Sequence, residues 1–185
     1  MTLTKTPVCD FGKKAGDFKL KSINNELISL DDVNGEKATL IMFICNHCPY
    51  VKAIIKDLIN DCKELKKEGV NSVAIMSNDT KNYPADSFEN MVKFSIDNKF
   101  EGINYLIDET QEVAKKYGAV CTPDFFGFSK DLGLQYRGRF RELKELKPVK
   151  NGDSDLKISM KMIAQTQKGP EEQIPSMGCN IKWFK

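Results

Sequence analysis

The apolar residues of this chain fall into two kinds of pattern, short continuous runs and stripes with helical spacing. Residues 37–44 form a run that is apolar on both faces from residue 40 onward, which is typical of a central strand covered by helices. Residues 51–65 carry apolar side chains at spacings of three and four, which predicts an amphipathic helix. Pro49 and Gly69 fit the start and the end of that helix.

Strand and helix patterns continue to alternate along the rest of the chain. This order predicts an α/β fold with a central mixed β-sheet flanked by helices, and right-handed crossovers place the ends of the parallel strands at one edge. Sites for ligands and catalysis collect at such an edge. We expect short strands and turns in residues 18–33, strands at 70–77 and 105–107, helices at 87–98, 110–117 and 155–168, a hairpin from 125–129 and 134–139, and a loop at 142–153.

Two of the predicted helices have specific residues assigned to their ends and faces. Asp86 or Ser87 is expected to cap the helix at 87–98, with Ile96 on its buried face. Thr110 is expected to cap the short helix that ends at Gly118.

Length and charge narrow the class of protein. The 185 residues predict one domain over residues 1–185, and two aromatic residues in the tail at 170–185 suggest that this segment packs back on the domain. Since 28 basic and 26 acidic side chains nearly cancel, we expect no nucleic acid or membrane partner. The N-terminal residues contain no apolar run of the signal-peptide type, so we expect a cytoplasmic protein.

The main chemical signal is the sequence Cys45-Asn46-His47-Cys48, where the buried strand turns into the helix. Helix N–H groups and the helix dipole stabilise a thiolate there, which predicts Cys45 as the nucleophile and Cys48 as the resolving thiol. His47, if protonated, would favour the Cys45 thiolate further, and Asn46 and His47 together are expected to modulate the redox poise.

A metal site is the alternative interpretation of this cysteine pair. Zinc would need two more ligands, and Cys121 and Cys179 are available in principle. Zinc half-sites usually lie in tight knuckles, whereas this pair follows a core strand and opens a helix, so redox chemistry is favoured. We therefore predict no bound metal and no cofactor. Cys62 lies on the apolar stripe of the helix and is expected to be a structural thiol.

A second signal is Cys121-Thr122-Pro123, which precedes a predicted strand. In combination with the CxxC pair, the Thr122–Pro123 bond is a candidate cis peptide in a loop that faces the cysteines and binds substrate. Cys121 should then lie near the pair. A contact between Cys121 and Cys179 in the tail, as a second thiol pair or as packing, is a further hypothesis.

Several segments together resemble the redoxin (AhpC/TSA-type) branch of the thioredoxin-like superfamily, in particular its peroxiredoxin-like "thioredoxin family protein" group. The resemblance covers nearly the whole chain. The matching segments are FICNHCPYV at 43–51, SND with YPADS in 77–87, YLIDETQEVAKKYGAVCTPDFF at 105–126, YRGRF at 136–140 and PSMGCNIKW at 175–183.

This resemblance implies a thioredoxin-like fold with an added N-terminal β-hairpin in residues 16–33, and an oxidoreductase or antioxidant role. It marks Cys45, Cys48 and Pro123 as active-site positions. The chain departs from the peroxiredoxin motif Pro-x-x-x-Thr-x-x-Cys, because alignment on Cys48 puts Cys45 in place of Thr and Ile41 in place of Pro. The strand at 38–44 also lacks the buried acid that thioredoxins have there.

We therefore expect a thiol–disulfide oxidoreductase that acts on protein or small-molecule disulfides and is restored by a cellular thiol reductant. A thiol-dependent peroxidase acting on peroxides is the alternative enzyme. A metal-binding or copper-handling protein is the alternative from another class, although the sole histidine lies inside the CxxC and cannot serve as a distant copper ligand.

Overall fold

The computed structural model describes residues 2–185, which are arranged around a seven-stranded mixed β-sheet. The helices are α1 (Leu30–Val33), α2 (Pro49–Lys67), α3 (Phe88–Asp97), α4 (Glu112–Tyr117) and α5 (Asp155–Thr166). The strands are β1 (Leu3–Lys5), β2 (Lys19–Ser22), β3 (Leu27–Ser29), β4 (Ala38–Phe43), β5 (Val70–Met76), β6 (Asn104–Ile107), β7 (Cys121–Thr122), β8 (Asp124–Ser129), β9 (Leu134–Tyr136), β10 (Leu143–Lys144), β11 (Lys147–Pro148) and β12 (Met177–Asn180).

The large sheet has the strand order β3-β2-β6-β5-β4-β8-β9. Strands β4, β5 and β6 run parallel, and their neighbours on both sides pair antiparallel. The predicted α/β fold with a central mixed sheet is therefore confirmed, and β2 and β3 form the expected N-terminal hairpin. Among residues 2–185, no helix is long and apolar enough to cross a membrane.

Strand β4 is an interior strand of the sheet, between β5 and β8, and all six of its residues are buried. Alternate side chains of a strand point to opposite faces, so β4 contributes to two cores. Leu40 and Met42 pack in the core that includes the buried stripe of α2, while Phe43 packs on the other face against Tyr117 and Phe126. The double-sided apolar run in the sequence is explained by this position.

Helix α2 begins directly after the loop that follows β4. Cys48 is its N-cap and Pro49 its first residue, where a missing N–H costs no hydrogen bond. The helix ends before Gly69, whose φ of 83° is a conformation that favours glycine. Its buried side includes Cys62, which is 2% exposed, as expected of a structural thiol.

Helices α3 and α4 differ in detail from the sequence-based prediction. Ser87 caps α3 as expected, but Ile96 is 68% exposed and does not join the core. The N-cap of α4 is Gln111 rather than Thr110. Gln111 is buried and donates hydrogen bonds to two carbonyl oxygens from other parts of the chain, so tertiary contacts decide where this helix starts.

The predicted loop at 142–153 contains a small hairpin formed by β10 and β11. The C-terminal tail contains a strand that the sequence pattern does not indicate. Strand β12 lies between β1 and β7 in a three-stranded sheet, with Cys179 opposite Thr122. Cys179 and Ile181 are each 1% exposed, whereas Trp183 remains 38% exposed. Strand pairing, and not the aromatic residues, therefore holds the tail.

Replacing Gly178 with alanine should weaken the attachment of β12. A Cβ atom at this position would lie 2.0 Å from the Thr122 carbonyl oxygen, so the backbone has to shift. We expect Gly178→Ala to lower the free energy of unfolding by about 1–3 kcal/mol in denaturant titrations. Gly133→Ala is the matched control, because its Cβ would meet nothing closer than 3.5 Å. Equal stability of the two variants would contradict this account of the tail.

Candidate active site

The two cysteines of the CxxC lie in the short loop between β4 and α2. Backbone pairing ends at Ile44, whose N–H donates to the Ile75 carbonyl over 3.0 Å, and the helix starts at Pro49. Both thiols are buried, with Cys45 1% and Cys48 0% exposed. The junction between strand and helix thus places both sulfurs inside the protein, at the edge where the parallel strands end.

The loop with Thr122 and Pro123 packs directly against these sulfurs. The Thr122–Pro123 peptide bond is cis, as predicted. The hydroxyl oxygen of Thr122 lies 3.3 Å from Cys45 Sγ, and its carbonyl oxygen lies 3.2 Å from Cys48 Sγ. One residue therefore contacts both thiols, and the prediction that this loop faces the CxxC is confirmed.

A buried ion pair fixes the residue that follows this loop. Asp124 follows Pro123, and its carboxylate lies 3.0 Å from the guanidinium of Arg137. Burial raises the pKa of Asp124, and the charge of Arg137 opposes this effect. The guanidinium also donates to the Gly118 carbonyl over 2.8 Å. Arg137 is 8% exposed, so this basic side chain is part of the buried structure and is not a solvated surface charge.

The pKa values of the two cysteines are shifted in opposite directions, and the shift of Cys45 is not the one predicted. The hydrogen bond with Cys48, then burial and the charge of Asp86, raise the pKa of Cys45 well above its usual value. The hydrogen bond with Cys45, together with one from Cys179, outweighs burial and lowers the pKa of Cys48 to about 5. The pKa of Cys45 is therefore shifted in the direction opposite to the expected lowering, first because of its hydrogen bond with Cys48 and then because of burial and the Asp86 charge.

That carboxylate, Asp86, is the centre of a buried hydrogen-bond network. It is 0% exposed and accepts hydrogen bonds from the Asn46 backbone N–H and the Asn78 side chain, each over 2.8 Å. Nδ1 of His47 lies 2.6 Å from its second oxygen. Burial raises the pKa of Asp86, but hydrogen bonds from His47 and Asn78 outweigh it, so the pKa lies below its usual range. The carboxylate is thus held charged inside the site.

Asn46 and His47 are positioned by contacts on both sides of the loop. The side chain of Asn46 donates to the Ala85 carbonyl over 3.1 Å and accepts from the Tyr105 hydroxyl over 2.8 Å. The ring of His47 stacks on Tyr83 at a centroid distance of 5.9 Å. The middle residues of the CxxC therefore hold the loop on Asp86, a site residue that sequence reasoning treated only as a possible helix cap.

Among the described residues 2–185, one group of side chains is close enough to ligate a metal ion. It consists of Cys45, His47 and Asp86, with ligand atoms within 4.8 Å of one another. The set considered from sequence, with Cys121 and Cys179 completing the cysteine pair, is a different one. His47 and Asp86 are already hydrogen-bonded to each other, an arrangement that satisfies both without an ion.

The remaining cysteines occupy separate environments. Cys179 Sγ lies 2.8 Å from Cys48 Sγ, so the tail contributes a third sulfur to the site. Cys121 lies opposite Asn180 in the β7–β12 ladder, whereas Cys179 lies opposite Thr122, so the two side chains project to opposite faces. Cys121 Sγ lies 3.6 Å from the Pro123 carbonyl oxygen. Strand register thus directs Cys179 toward Cys48.

A cleft of about 490 Å³ opens beside Pro123 on the outer side of the site. Its walls come from the start of α2, the segment after β9 and the residues just before β12, with basic and apolar side chains intermixed. The lining includes Tyr50, Pro123, Arg139, Phe140, Ser176 and Met177.

Comparisons with known proteins agree with this geometry. A structure from Geobacillus kaustophilus, described as an uncharacterized conserved protein, is 39% identical with a TM-score of 0.94, covering 100% of this chain and 97% of that one. A hypothetical protein from Sinorhizobium meliloti is 33% identical with a TM-score of 0.90, covering 98% of each chain. Comparison with curated proteins found no match.

More distant structures share the fold alone. The thioredoxin domain of a thiol-disulfide oxidoreductase from Bacteroides vulgatus is 17% identical with a TM-score of 0.58, covering 69% of this chain and 86% of that one. This similarity establishes the thioredoxin-like fold that the sequence resemblance implied. The AhpC/TSA family profile matches residues 11–140. The chain is therefore a member of the AhpC/TSA family, with a thioredoxin-like fold.

Proposed function

We propose that this redoxin is a thiol–disulfide oxidoreductase in which Cys48 is the attacking thiolate and Cys45 the resolving thiol. The observation that carries the proposal is the position of Cys48 Sγ. The sulfur belongs to the N-cap residue of α2, and its hydrogen bond with Cys45 stabilises the thiolate. In the protonated form the Cys48 thiol donates instead to the Thr122 carbonyl of the cis-proline loop over 3.2 Å. Thiolate is the species that attacks disulfides, and this is the sulfur that holds it. These roles reverse those expected from sequence.

The reaction proceeds in two exchange steps. The Cys48 thiolate attacks one sulfur of the substrate disulfide, whose S–S bond breaks, and the leaving thiolate takes up a proton. Cys45 then loses its proton and attacks the Cys48 sulfur, which releases the second substrate thiol and leaves a Cys45–Cys48 disulfide. Two electrons pass from the protein to the substrate, and a cellular thiol reductant returns them. A cytoplasmic setting is part of the proposal, because its thiol pool supplies that reductant.

The second step needs an acceptor for the Cys45 proton. Cys45 has a raised pKa, so it is protonated until the mixed disulfide has formed. Cys45 Sγ, a His47 ring nitrogen and an Asp86 oxygen lie within 4.8 Å of one another. We assign the proton to this His47–Asp86 pair, which takes the place of the buried acid that thioredoxins carry on the strand.

The substrate class follows from the edge of β7. In a thioredoxin-like fold, the backbone before the cis-proline is available to pair with a substrate peptide. Here β12 already pairs with that edge, with Cys179 opposite Thr122. Because this edge is occupied, small-molecule disulfides are favoured as substrates over protein disulfides that would pair with it.

A thiol-dependent peroxidase is the second candidate, and one observation favours it. Cys48 aligns with the peroxide-reducing cysteine of the family, and its pKa is lowered to about 5. The replacement of the motif's Pro and Thr by Ile41 and Cys45 argues for disulfide exchange instead.

The thiolate of the reduced protein should titrate on Cys48. We expect the ultraviolet thiolate absorbance to rise with a midpoint near pH 5, so that the charge is present at neutral pH. Cys48→Ser should remove this step, and Cys45→Ala should shift it to higher pH because the largest stabilising hydrogen bond is lost. Cys9→Ser, at a thiol away from the site, should leave it unchanged. A step that survives in Cys48→Ser would place the charge elsewhere.

Disulfide exchange should depend unequally on the two cysteines. With oxidised glutathione as substrate, we expect Cys48→Ser to lose all thiol release, while Cys45→Ser still attacks the disulfide and releases the first thiol but forms no Cys45–Cys48 disulfide, measured by rapid quench and mass spectrometry. Cys9→Ser should behave like wild type. If Cys45→Ser is inactive and Cys48→Ser traps a mixed disulfide, the roles are the reverse of those proposed. A much faster reaction with hydrogen peroxide than with the disulfide would instead favour the peroxidase.

Removing the charge of Asp86 should slow the resolving step alone. We expect Asp86→Asn to slow the second thiol release by about 10- to 100-fold, since it removes a proton acceptor. Asp79→Asn is the matched control, because Asp79 is also buried but bonds to Asn82 outside the site. Equal slowing of both releases would indicate a purely structural role for Asp86.

A further inference from the structure

The C-terminal strand brings a third cysteine to the sulfur that the proposed mechanism uses. Cys179 and Cys48 are 1% and 0% exposed, and their sulfur atoms lie 2.8 Å apart. Neither the cysteine pair nor the cis-proline loop requires a thiol at this position. The residue opposite Thr122 could have had any side chain that pairs in a strand.

We propose that Cys179 is a third redox-active thiol, which forms a disulfide with Cys48 and competes with Cys45 for the same sulfur. This inference rests on the proposed function, because it needs Cys48 to react with a disulfide first. It adds a resolving residue that the CxxC motif does not contain.

The distance between the two sulfurs suits bond formation. A disulfide has an S–S length of about 2.05 Å, so the sulfurs need to approach by less than about 1 Å. Hydrogen bonding between Cys179 and Cys48 is already present. By contrast, Cys121 projects from the other face of the same ladder.

Backbone and side-chain contacts hold Cys179 at this place. Strand β12 pairs on one side with β1, where Cys179 lies opposite Leu3, and on the other side with β7. Just before the strand, the Ser176 hydroxyl donates to the Pro123 carbonyl over 2.8 Å. The backbone N–H of Ser176 donates to the Thr6 hydroxyl over 3.0 Å. The thiol is thus fixed from both sides, as a resolving residue must be to act at high effective concentration.

The exchange steps balance without a further reactant. From the mixed disulfide of Cys48 with a substrate thiol, Cys179 attacks the Cys48 sulfur, the bond to the substrate breaks, and the released thiolate takes the proton of Cys179. Cys45 can then attack Cys48 in the resulting Cys48–Cys179 disulfide, which frees Cys179 and forms Cys45–Cys48. This second exchange moves the disulfide with no net transfer of electrons.

A Cys48–Cys179 disulfide would also bind the tail covalently to the site. It would join α2 to β12 and keep the edge of β7 covered in that oxidation state. Because the bond closes a long loop of chain, the oxidised form should resist unfolding more than the reduced form does.

The test uses the full-length Cys45→Ser protein, in which Cys48 has lost its CxxC partner. On reaction with oxidised glutathione, we expect it to release both glutathione thiols and to form a Cys48–Cys179 disulfide, identified by mass spectrometry of alkylated, digested protein. Cys45→Ser/Cys179→Ser should stop at the mixed disulfide and retain one glutathione. Cys45→Ser/Cys121→Ser is the matched control and should behave like Cys45→Ser. The oxidised Cys45→Ser protein should melt several degrees above its reduced form.

The outcomes separate this inference from the proposed function. If wild type forms a Cys45–Cys48 disulfide but Cys45→Ser retains glutathione on Cys48, the oxidoreductase stands and the third thiol is overturned. If wild type forms no Cys45–Cys48 disulfide while Cys45→Ser forms Cys48–Cys179, the CxxC mechanism fails and Cys179 is the partner of Cys48. Should the serine at position 179 prevent folding, Cys179→Ala makes the same comparison with an apolar side chain.

Discussion

Thr122 contacts both sulfurs of the cysteine pair and also pairs with the tail strand that carries the third. Its hydroxyl lies 3.3 Å from Cys45 Sγ, its carbonyl 3.2 Å from Cys48 Sγ, and Cys179 is its partner in the β7–β12 ladder. The contacts of Thr122 with all three cysteines depend on a fixed position of this residue. The ion pair of Asp124 with Arg137 holds the loop on one side, and Ser176 binds the Pro123 carbonyl on the other.

Burial and charge determine which sulfur can react. Both sulfurs of the pair are almost fully buried, so the proposed thiolate is at the sulfur with the more favourable partners. Cys48 is the N-cap residue of α2 and has a hydrogen bond with Cys45 that lowers its pKa, while Cys45 lies near the carboxylate of Asp86. The helix N-cap residue is Cys48 and not Cys45, so the proposed roles are the reverse of those expected from sequence, and the proposed mechanism uses Asp86 in place of the acid that the strand lacks.

The tail changes how the family fold can be used. In this chain the edge of β7 is covered by β12, so the backbone next to the active cysteines is paired within the molecule. An added strand that carries its own thiol couples the redox state of the site to the attachment of the tail. In the proposed mechanism, β12 therefore affects both how substrates reach the sulfurs and which thiol resolves the mixed disulfide.

Strong local patterns determined much of this structure from the sequence alone. Strand β4 was predictable because a strand buried on both faces leaves a continuous apolar run, and helix α2 was predictable because a helix buried along one stripe leaves apolar residues at spacings of three and four. The position of the CxxC in the loop between them follows from these two predictions. The cis bond at Pro123 was predictable from its combination with that pair. The short strands β1 and β12 leave no such period, and Asp86, Arg137 and Cys179 reach the site from distant parts of the chain. Only the tertiary structure decided which sulfur holds the charge and which third thiol it contacts, since both depend on distances between segments that no local pattern encodes.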